Sequence, residues 1–127
     1  MTTREVIDKI VDCALNKRAQ DIKILDLTKV TSITDYFVIC TADSKPQVKA
    51  ICQEIEEQLL NENIRVWHIE GLTNLHWVLM DYVDLVVHIF LPEVRDFYSL
   101  ERLWGDAEII EIDENDNISE LLMKNSF

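Results

Sequence analysis

Two carboxylates, Asp81 and Asp84, lie three positions apart between two strongly apolar runs of the sequence. Divalent cations prefer carboxylate oxygens, so such a pair could hold a metal ion for phosphoryl or nucleotidyl transfer. The other parts of such a site are missing, because there is no glycine-rich phosphate loop and Arg95 is the only Lys or Arg between Gly71 and Glu101. We interpret the pair as an acidic turn that is solvated or faces a partner. A residual metal-dependent nucleotidyltransferase is the alternative function.

Histidine, cysteine and serine side chains add no catalytic arrangement to this pair. The histidines are spaced unlike the ligands of a standard zinc site and have no cysteine near them: His68, His76 and His88. The cysteines are odd in number and show no Cys-x-x-Cys spacing, so we expect buried, reduced core residues: Cys13, Cys40 and Cys52. Ser44 is explained by a helix cap. The sequence therefore predicts no catalytic residue, no metal ligand and no cofactor.

The chain is strongly acidic, with a formal net charge of -12 over 127 residues. An acidic chain lacks the surplus of Lys and Arg that neutralises phosphates, so DNA is disfavoured as a partner and a basic protein is favoured. No run approaches the ~20 apolar residues that a membrane span requires, and the start of the chain has no signal-peptide pattern. We therefore expect a soluble, cytoplasmic protein with no membrane partner.

The elements that must position these side chains follow from hydrophobic periodicity and from capping signals. In order, they are a helix opened by a Thr2–Glu5 capping box, a strand over 21–27, a central strand over 36–41, a helix opened by a Ser44–Gln47 capping box, a strand over 64–70, an antiparallel hairpin of 77–80 with 85–90, and a short helix over 97–103 that ends near 104. This order predicts an α/β (α+β) fold with a mixed sheet of about five strands and helices packed on it.

The composition changes near the carboxyl end of the chain. From Gly105 to Phe127 there are seven acidic residues and one lysine. We therefore predict one folded domain over residues 1–107 and an acidic, mobile C-terminal extension over residues 108–127. One weak helix is expected within this extension, near 119–124.

Acidic and aromatic residues are concentrated in the last third of the predicted domain. Each tryptophan taken alone is expected to be a core residue, but aromatic residues rimmed by one sign of charge are typical of protein contact surfaces. The set combines six carboxylates with four aromatic residues: Glu70, Asp81, Asp84, Glu93, Asp96 and Glu101, with Trp77, Tyr82, Tyr98 and Trp104. As a whole, this set favours a basic protein partner.

A longer series of motifs runs in order, nearly without gaps, from about Ala19 to Ala107. It comprises Ala19-x-Asp21-Ile22, Leu25-Asp26, Asp35-Tyr36-Phe37-Val38-Ile39, Ser44, Glu70-Gly71, Trp77-x-Leu79-x-Asp81-Tyr82-x-Asp84, Val87-His88-x-Phe90, and Arg95-x-x-Tyr98-x-Leu100-Glu101-x-Leu103-Trp104. On these residues the chain resembles the ribosomal silencing factor family, also called RsfS or Iojap-like proteins. Many separated matches make this resemblance more specific than any single short motif.

The resemblance implies a nucleotidyltransferase-like fold that has lost its catalytic signature. It also implies a protein that binds the large ribosomal subunit through ribosomal protein L-fourteen, blocks joining of the small subunit and represses translation when nutrients are short. Carried over position by position, the partner-facing features fall on eight residues: Trp77, Asp81, Tyr82, Asp84, His88, Tyr98, Glu101 and Trp104. A homodimer that forms when the protein is not bound to the ribosome is left open as a possibility.

Two positions depart from the family pattern, because Ala42 and Val83 stand where the family usually has glycine. A β-branched residue resists positive φ, so we expect the turn from Asp81 to Asp84 not to use a glycine conformation. The acidic extension lies outside the quoted motifs, and we expect it to lie outside the family pattern.

Overall fold

The computed structural model describes residues 1–113 and residue 121. Its strands are β1 Gln20–Asp26, β2 Tyr36–Thr41, β3 His68–Glu70, β4 Trp77–Asp81, β5 Leu85–Phe90 and β6 Glu108–Ile112, and its helices are α1 Thr3–Asn16, α2 Lys45–Asn61, α3 Pro92–Tyr98 and α4 Leu100–Leu103. The strands form one mixed sheet in the order β3-β4-β5-β2-β1-β6, in which β2 and β5 are parallel and the other neighbours are antiparallel. The predicted α/β (α+β) class is confirmed, with six strands in place of about five.

The two long helices cover one face of the sheet. Along α1, residues at helical spacing are buried, including Val6, Ile10 and Ala14, and α2 buries Val48, Ile51 and further residues on its own apolar side. They pack on side chains that point to the same face of the strands and form the main core with them, such as Ile24, Val38, Val78 and Val87. The alternation of side chains along each strand decides which residues reach this face.

The helix caps follow from the polar residues before each helix. Thr2 and Glu5 form the complete capping box, because each side chain bonds the backbone N–H of the other. At α2, Ser44 accepts from the Gln47 N–H at 3.3 Å, but the Gln47 side chain accepts from Asp43 at 2.7 Å. The predicted second capping box is therefore half formed, since Gln47 bonds the residue before the cap.

A smaller core lies on the other face of the sheet, beneath α3 and α4. Its buried members come from β1 and the residue after it, from β2 and β5, from α4 and from the segment before β6: Leu25, Leu27, Ile39, Phe90, Leu100 and Ala107. Trp77 and Trp104 are half-buried against it. These two helices are shorter than α1 and α2, and most of the predicted site residues lie on their face of the sheet.

Three predicted elements differ from the structure. The strand over 64–70 is limited to His68–Glu70, because the Ile64 N–H closes the end of α2 on the Leu59 carbonyl and Asn63 turns the chain at a φ of 61°. The short helix over 97–103 is two helices, separated at Ser99 by a φ of 45°.

The third difference concerns the acidic extension, whose first residues form β6 and pair antiparallel with β1. The Ile110 side chain is buried in the main core, so this part belongs to the folded sheet. The predicted helix near 119–124 lies outside the described residues except for Leu121, which packs against the main core. Within the described part of the chain, no helix has the length and apolar character needed to cross a bilayer.

Candidate functional site

Trp77 occupies the start of β4 and points to the sheet face that carries α3 and α4. Register pairs it with Phe90 of β5, and the two rings stack with centroids 4.8 Å apart. Tyr98, at the end of α3, lies over the same indole at 4.8 Å, and the His88 ring is 5.8 Å away. We call these four residues the Trp77 cluster. It brings together three predicted site residues, Trp77, His88 and Tyr98.

His88 is buried at the base of the Trp77 cluster. Its Nδ1 accepts a hydrogen bond from the Trp77 indole N–H at 3.1 Å, and the Phe37 ring contacts it edge-on at 4.5 Å. Burial lowers the pKa of His88 from 6.5 to about 3, because a charged imidazolium would lose its hydration in this apolar setting. The neutral ring therefore carries its proton on Nε2, which has no hydrogen-bond partner among the described residues. His88 supports Trp77 from below and offers no surface to a partner.

The exposed part of this region is formed by α3 and α4. The Phe97 and Leu103 side chains are 80% and 70% exposed, and Tyr98 is 51% exposed above Trp77. Trp104 is half-buried, and its ring centroid lies 5.9 Å from that of Phe37. This segment presents aromatic and aliphatic side chains to solvent beside the Trp77 cluster.

Glu101 is tied into the fold through Arg95. The Arg95 side chain is buried and donates to the Asp21 carbonyl and to the Thr41 hydroxyl, and its Nε lies 3.4 Å from the Glu101 carboxylate. Asp21 sits at a bulge in β1 with a φ of 49°, so its carbonyl is turned out of the regular ladder. Glu101 balances a buried cation and ties α4 to α3, and Arg95 ties α3 to β1 and β2.

Tyr82 lies on the opposite side of the sheet from the Trp77 cluster. It is buried in the main core, and its hydroxyl has no hydrogen-bond partner among the residues described. Burial, followed by the charge of Glu56 and the neighbouring Cys52, raises the pKa of Tyr82 above its usual value. The structure therefore separates Tyr82 from the other predicted partner-facing residues.

Asp81 and Asp84 flank the turn between β4 and β5. Asp81 Oδ1 accepts from the Val83 N–H at 2.7 Å, and the Asp84 N–H donates to the Tyr82 carbonyl at 3.0 Å. Val83 has a φ of 74°, so the expectation that this turn avoids a glycine conformation is wrong. Two hydrogen bonds hold the β-branched residue in this strained conformation: the Val83 N–H donates to Asp81 Oδ1, and the Thr34 hydroxyl donates to the Val83 carbonyl at 3.0 Å.

The Asp81 carboxylate is thus already engaged in the turn. Among residues 1–113 and 121, no three His, Cys, Asp or Glu side chains come together as a group able to hold a metal ion. The three cysteines are free and buried, and burial raises the pKa of the Cys13 and Cys52 thiols to about 11. These thiols are protonated at neutral pH and are poor nucleophiles.

Three exposed apolar side chains beside the Asp81–Asp84 turn do not follow from the sequence pattern. Ile33, Trp67 and Val83 are 82%, 71% and 59% exposed. Periodicity places Trp67 in a strand and Ile33 in a polar connection, so neither is marked as a surface residue. The one available signal is the tryptophan itself, since a tryptophan between Val66 and His68 in an alternating run must face either a second core or solvent.

Comparison with known proteins identifies the family. The family model described as "Ribosomal silencing factor during starvation" matches residues 1–125. The chain belongs to this family. The resemblance drawn from the sequence motifs is thereby confirmed. The match extends through most of the acidic C-terminal segment, so the expectation that this segment lies outside the family pattern is wrong.

Individual relatives agree with this membership. Ribosomal silencing factor RsfS of Bacillus subtilis (strain 168) is 44% identical over 98 residues, which cover 77% of this chain and 83% of the relative. "Protein Iojap, chloroplastic" of Arabidopsis thaliana is 35% identical over 104 residues, covering 82% of this chain and 43% of that longer protein. Family membership therefore rests on relatives that align over most of this chain.

Solved structures of two bacterial proteins are similar to the whole fold. A crystal structure from Chromobacterium violaceum superposes with a TM-score of 0.80 at 35% identity, covering 83% of this chain and 88% of the other. A crystal structure from Bacillus halodurans gives a TM-score of 0.76 at 31% identity, covering 87% of this chain and 100% of the other. The architecture described above is therefore shared with experimentally determined folds.

Proposed function

We propose that this protein is a ribosomal silencing factor. It binds the large ribosomal subunit through ribosomal protein L-fourteen, blocks association with the small subunit, and represses translation under nutrient limitation. The observation that carries the proposal is membership of the ribosomal silencing factor family over residues 1–125. The action is steric and requires no catalytic residue, metal or cofactor.

The geometry supports a docking surface made of two neighbouring parts. One is the Trp77 cluster with the exposed side chains of α3, and the other is the acidic turn from Asp81 to Asp84. Trp77 and Asp81 are the two ends of β4 and point to the same face, about 14 Å apart at ~3.4 Å per residue. Both parts fit within one interface of ordinary size, which covers about 800 Å² per partner.

The predicted site residues then divide into contact and supporting roles. Asp84 is exposed, and Trp77, Asp81, Tyr98 and Trp104 are at least partly exposed on or beside this surface. The supporting residues are His88, which holds the Trp77 indole, Tyr82, which fills the core below the turn, and Glu101, which anchors α4 through Arg95.

Charge supports a basic partner. The chain carries a formal net charge of -12, and the turn presents Asp81 and Asp84 beside apolar side chains. Complementary charge accelerates encounter and selects against acidic partners. Ribosomal proteins that bind RNA need basic surfaces for the same electrostatic reason. Docking is therefore expected to weaken as the salt concentration rises.

Co-sedimentation with separated ribosomal subunits tests the proposal. The protein should sediment with the large subunit and stay in the supernatant with the small one, at low and at physiological salt. A large subunit that lacks L-fourteen should fail to retain it, and adding the purified ribosomal protein back should restore retention. Equal binding to both subunits, or retention that does not depend on L-fourteen, would contradict the proposal.

A further inference from the structure

A preformed groove lies beside the Asp81–Asp84 turn, at the end of β4 opposite Trp77. It has a volume of about 350 Å³ and is lined by Ile33, Thr34, Trp67, Asp81, Val83 and Val86. We call it the Trp67 groove. The floor is buried, since Thr34 and Val86 are 6% and 8% exposed, while the three large apolar side chains on its walls face solvent.

Three separate chain segments build the groove, and backbone hydrogen bonds lock them together. The Trp67 N–H, just before β3, donates to the Asp81 carbonyl at 2.9 Å. In the connection between β1 and β2, the Asp35 N–H donates to the Asp84 carbonyl at 3.0 Å. The backbone segments that carry the walls are therefore held together without a partner, which lowers the ordering cost of binding.

Backbone strain is concentrated at the same place. Val83 combines a φ of 74° with a hydrogen bond from the Asp84 N–H to the Tyr82 carbonyl, which makes a three-residue γ-turn. A β-branched residue in this conformation costs roughly 1–3 kcal/mol, and such strain clusters at ligand-binding and switch positions. In this turn the strained residue also places an exposed isopropyl group on the groove wall.

The charges around the groove define the partner that fits it. Asp81 is among the lining residues, which include no Lys, Arg or His. Asp35 and Asp84 are exposed and directly adjoin the lining residues Thr34 and Val83 in sequence. An apolar side chain of the partner would find apolar walls, and Lys or Arg next to it would meet carboxylates.

We propose that the Trp67 groove receives an apolar anchor residue flanked by Lys or Arg, presented by a basic protein of the large ribosomal subunit. This inference rests on the proposed function, because that function supplies the basic partner. It adds a binding subsite, with Trp67 as the main aromatic contact, next to the surface around Trp77. Exposed tryptophans that become buried in an interface commonly dominate its affinity.

Binding of purified large subunits by Trp67→Ala and Ile33→Ala tests the groove. Both side chains are largely exposed, so both variants should unfold at close to the wild-type denaturant midpoint. Trp67→Ala should weaken large-subunit binding at least tenfold, and Ile33→Ala several-fold. Leu60→Ala is the matched control, because Leu60 is an exposed aliphatic residue of α2 outside the groove and should bind like wild type.

The outcomes separate the groove from the proposed function. If wild type binds the large subunit and Trp67→Ala binds it equally well, the groove inference is overturned while the proposed function stands. If wild type does not bind the large subunit, both fall. If Trp67→Ala leaves subunit binding unchanged but converts a wild-type dimer to a monomer in analytical ultracentrifugation, a second copy of this chain occupies the groove and the inference is overturned.

Discussion

The indole N–H of Trp77 donates to Nδ1 of His88 at 3.1 Å, across two neighbouring antiparallel strands. This bond uses the one polar group of Trp77, so the indole can offer a partner only its apolar ring. It also requires a neutral His88 with its proton on Nε2. The orientation of a proposed contact residue thus depends on the protonation of a buried one.

His88 should make the stability of the domain sensitive to acid. Its pKa is about 3 in the folded protein and ordinarily 6.5, so between these values the unfolded chain binds a proton that the folded chain does not. The contribution of neutral His88 to stability is therefore fully present above pH 6.5. As the pH drops toward 3, the free energy of unfolding falls by up to about 1.4 kcal/mol per pH unit. Urea unfolding at pH 7, 6 and 5 measures this slope. His88→Gln removes the titrating group, so its slope should be clearly smaller, and equal slopes would contradict the assignment.

Val83→Gly should stabilise the protein. Glycine adopts a φ of 74° without strain, and relief of roughly 1–3 kcal/mol exceeds the 0.5–1 kcal/mol that glycine costs through the entropy of the unfolded chain. The net gain expected from denaturant unfolding is about 1 kcal/mol.

Ala42→Gly is the matched control, because the resemblance also expects glycine at this position. Ala42 is fully buried and is not among the residues with positive φ, so this change should destabilise by about 1–2 kcal/mol. A loss of stability in Val83→Gly would show that the turn is unstrained.

Asp84→Lys should weaken large-subunit binding without unfolding the domain. Asp84 is exposed and its resolved contacts are made by its backbone, so the charge reversal costs little stability but repels a basic partner. Binding should fall about tenfold or more at low salt, and the deficit should shrink at high salt. Asp81→Lys should weaken binding too, with a further loss of stability because its carboxylate caps the Val83 N–H. Glu57→Lys makes the same charge change on the exposed side of α2 and should bind like wild type apart from a small long-range effect.

Glu101→Gln should lower the stability of the folded domain, and not only its affinity for the large subunit. The change leaves the buried Arg95 guanidinium without its carboxylate, at a cost of roughly 1–3 kcal/mol, less than for a fully buried pair because Glu101 is partly exposed. Thermal unfolding beside the binding assay separates the two roles. Normal stability with weakened binding would place Glu101 among the direct contacts instead.

The fold was largely predictable because most of its elements carry local signals. Short-range sequence patterns predict the α1 capping box, the apolar sides of both long helices and the β4–β5 hairpin. β6 was missed because its acidic residues resemble a solvated tail. Pairing with β1 nevertheless stabilises this acidic segment as a strand. It places Lys23 Nζ 3.7 Å from the Glu111 carboxylate and buries Ile110. That pairing is a long-range contact that composition does not reveal.

The candidate site was less predictable for a related reason. Sequence spacing located the Asp81–Asp84 turn. Strand alternation also puts Tyr82 on the face of Val78 and Met80, opposite Asp81, whereas the carry-over from the family resemblance groups Tyr82 with the partner-facing residues. Neither pattern could show that Thr34 and Asp35 reach across to the same turn and bring Ile33 beside Val83. The positive φ of Val83 contradicts residue preference and is imposed by those contacts.

Light scattering of subunit joining tests the central claim most directly. The large subunit is incubated with increasing amounts of this protein, then mixed with the small subunit, and the amplitude of joining is recorded. The proposed function predicts that the amplitude of joining falls as this protein occupies more of the large subunit. Incubating this protein with the small subunit first should give no additional inhibition. The Asp84→Lys variant should need a higher concentration for the same inhibition. Normal joining while this protein stays bound to the large subunit would contradict it.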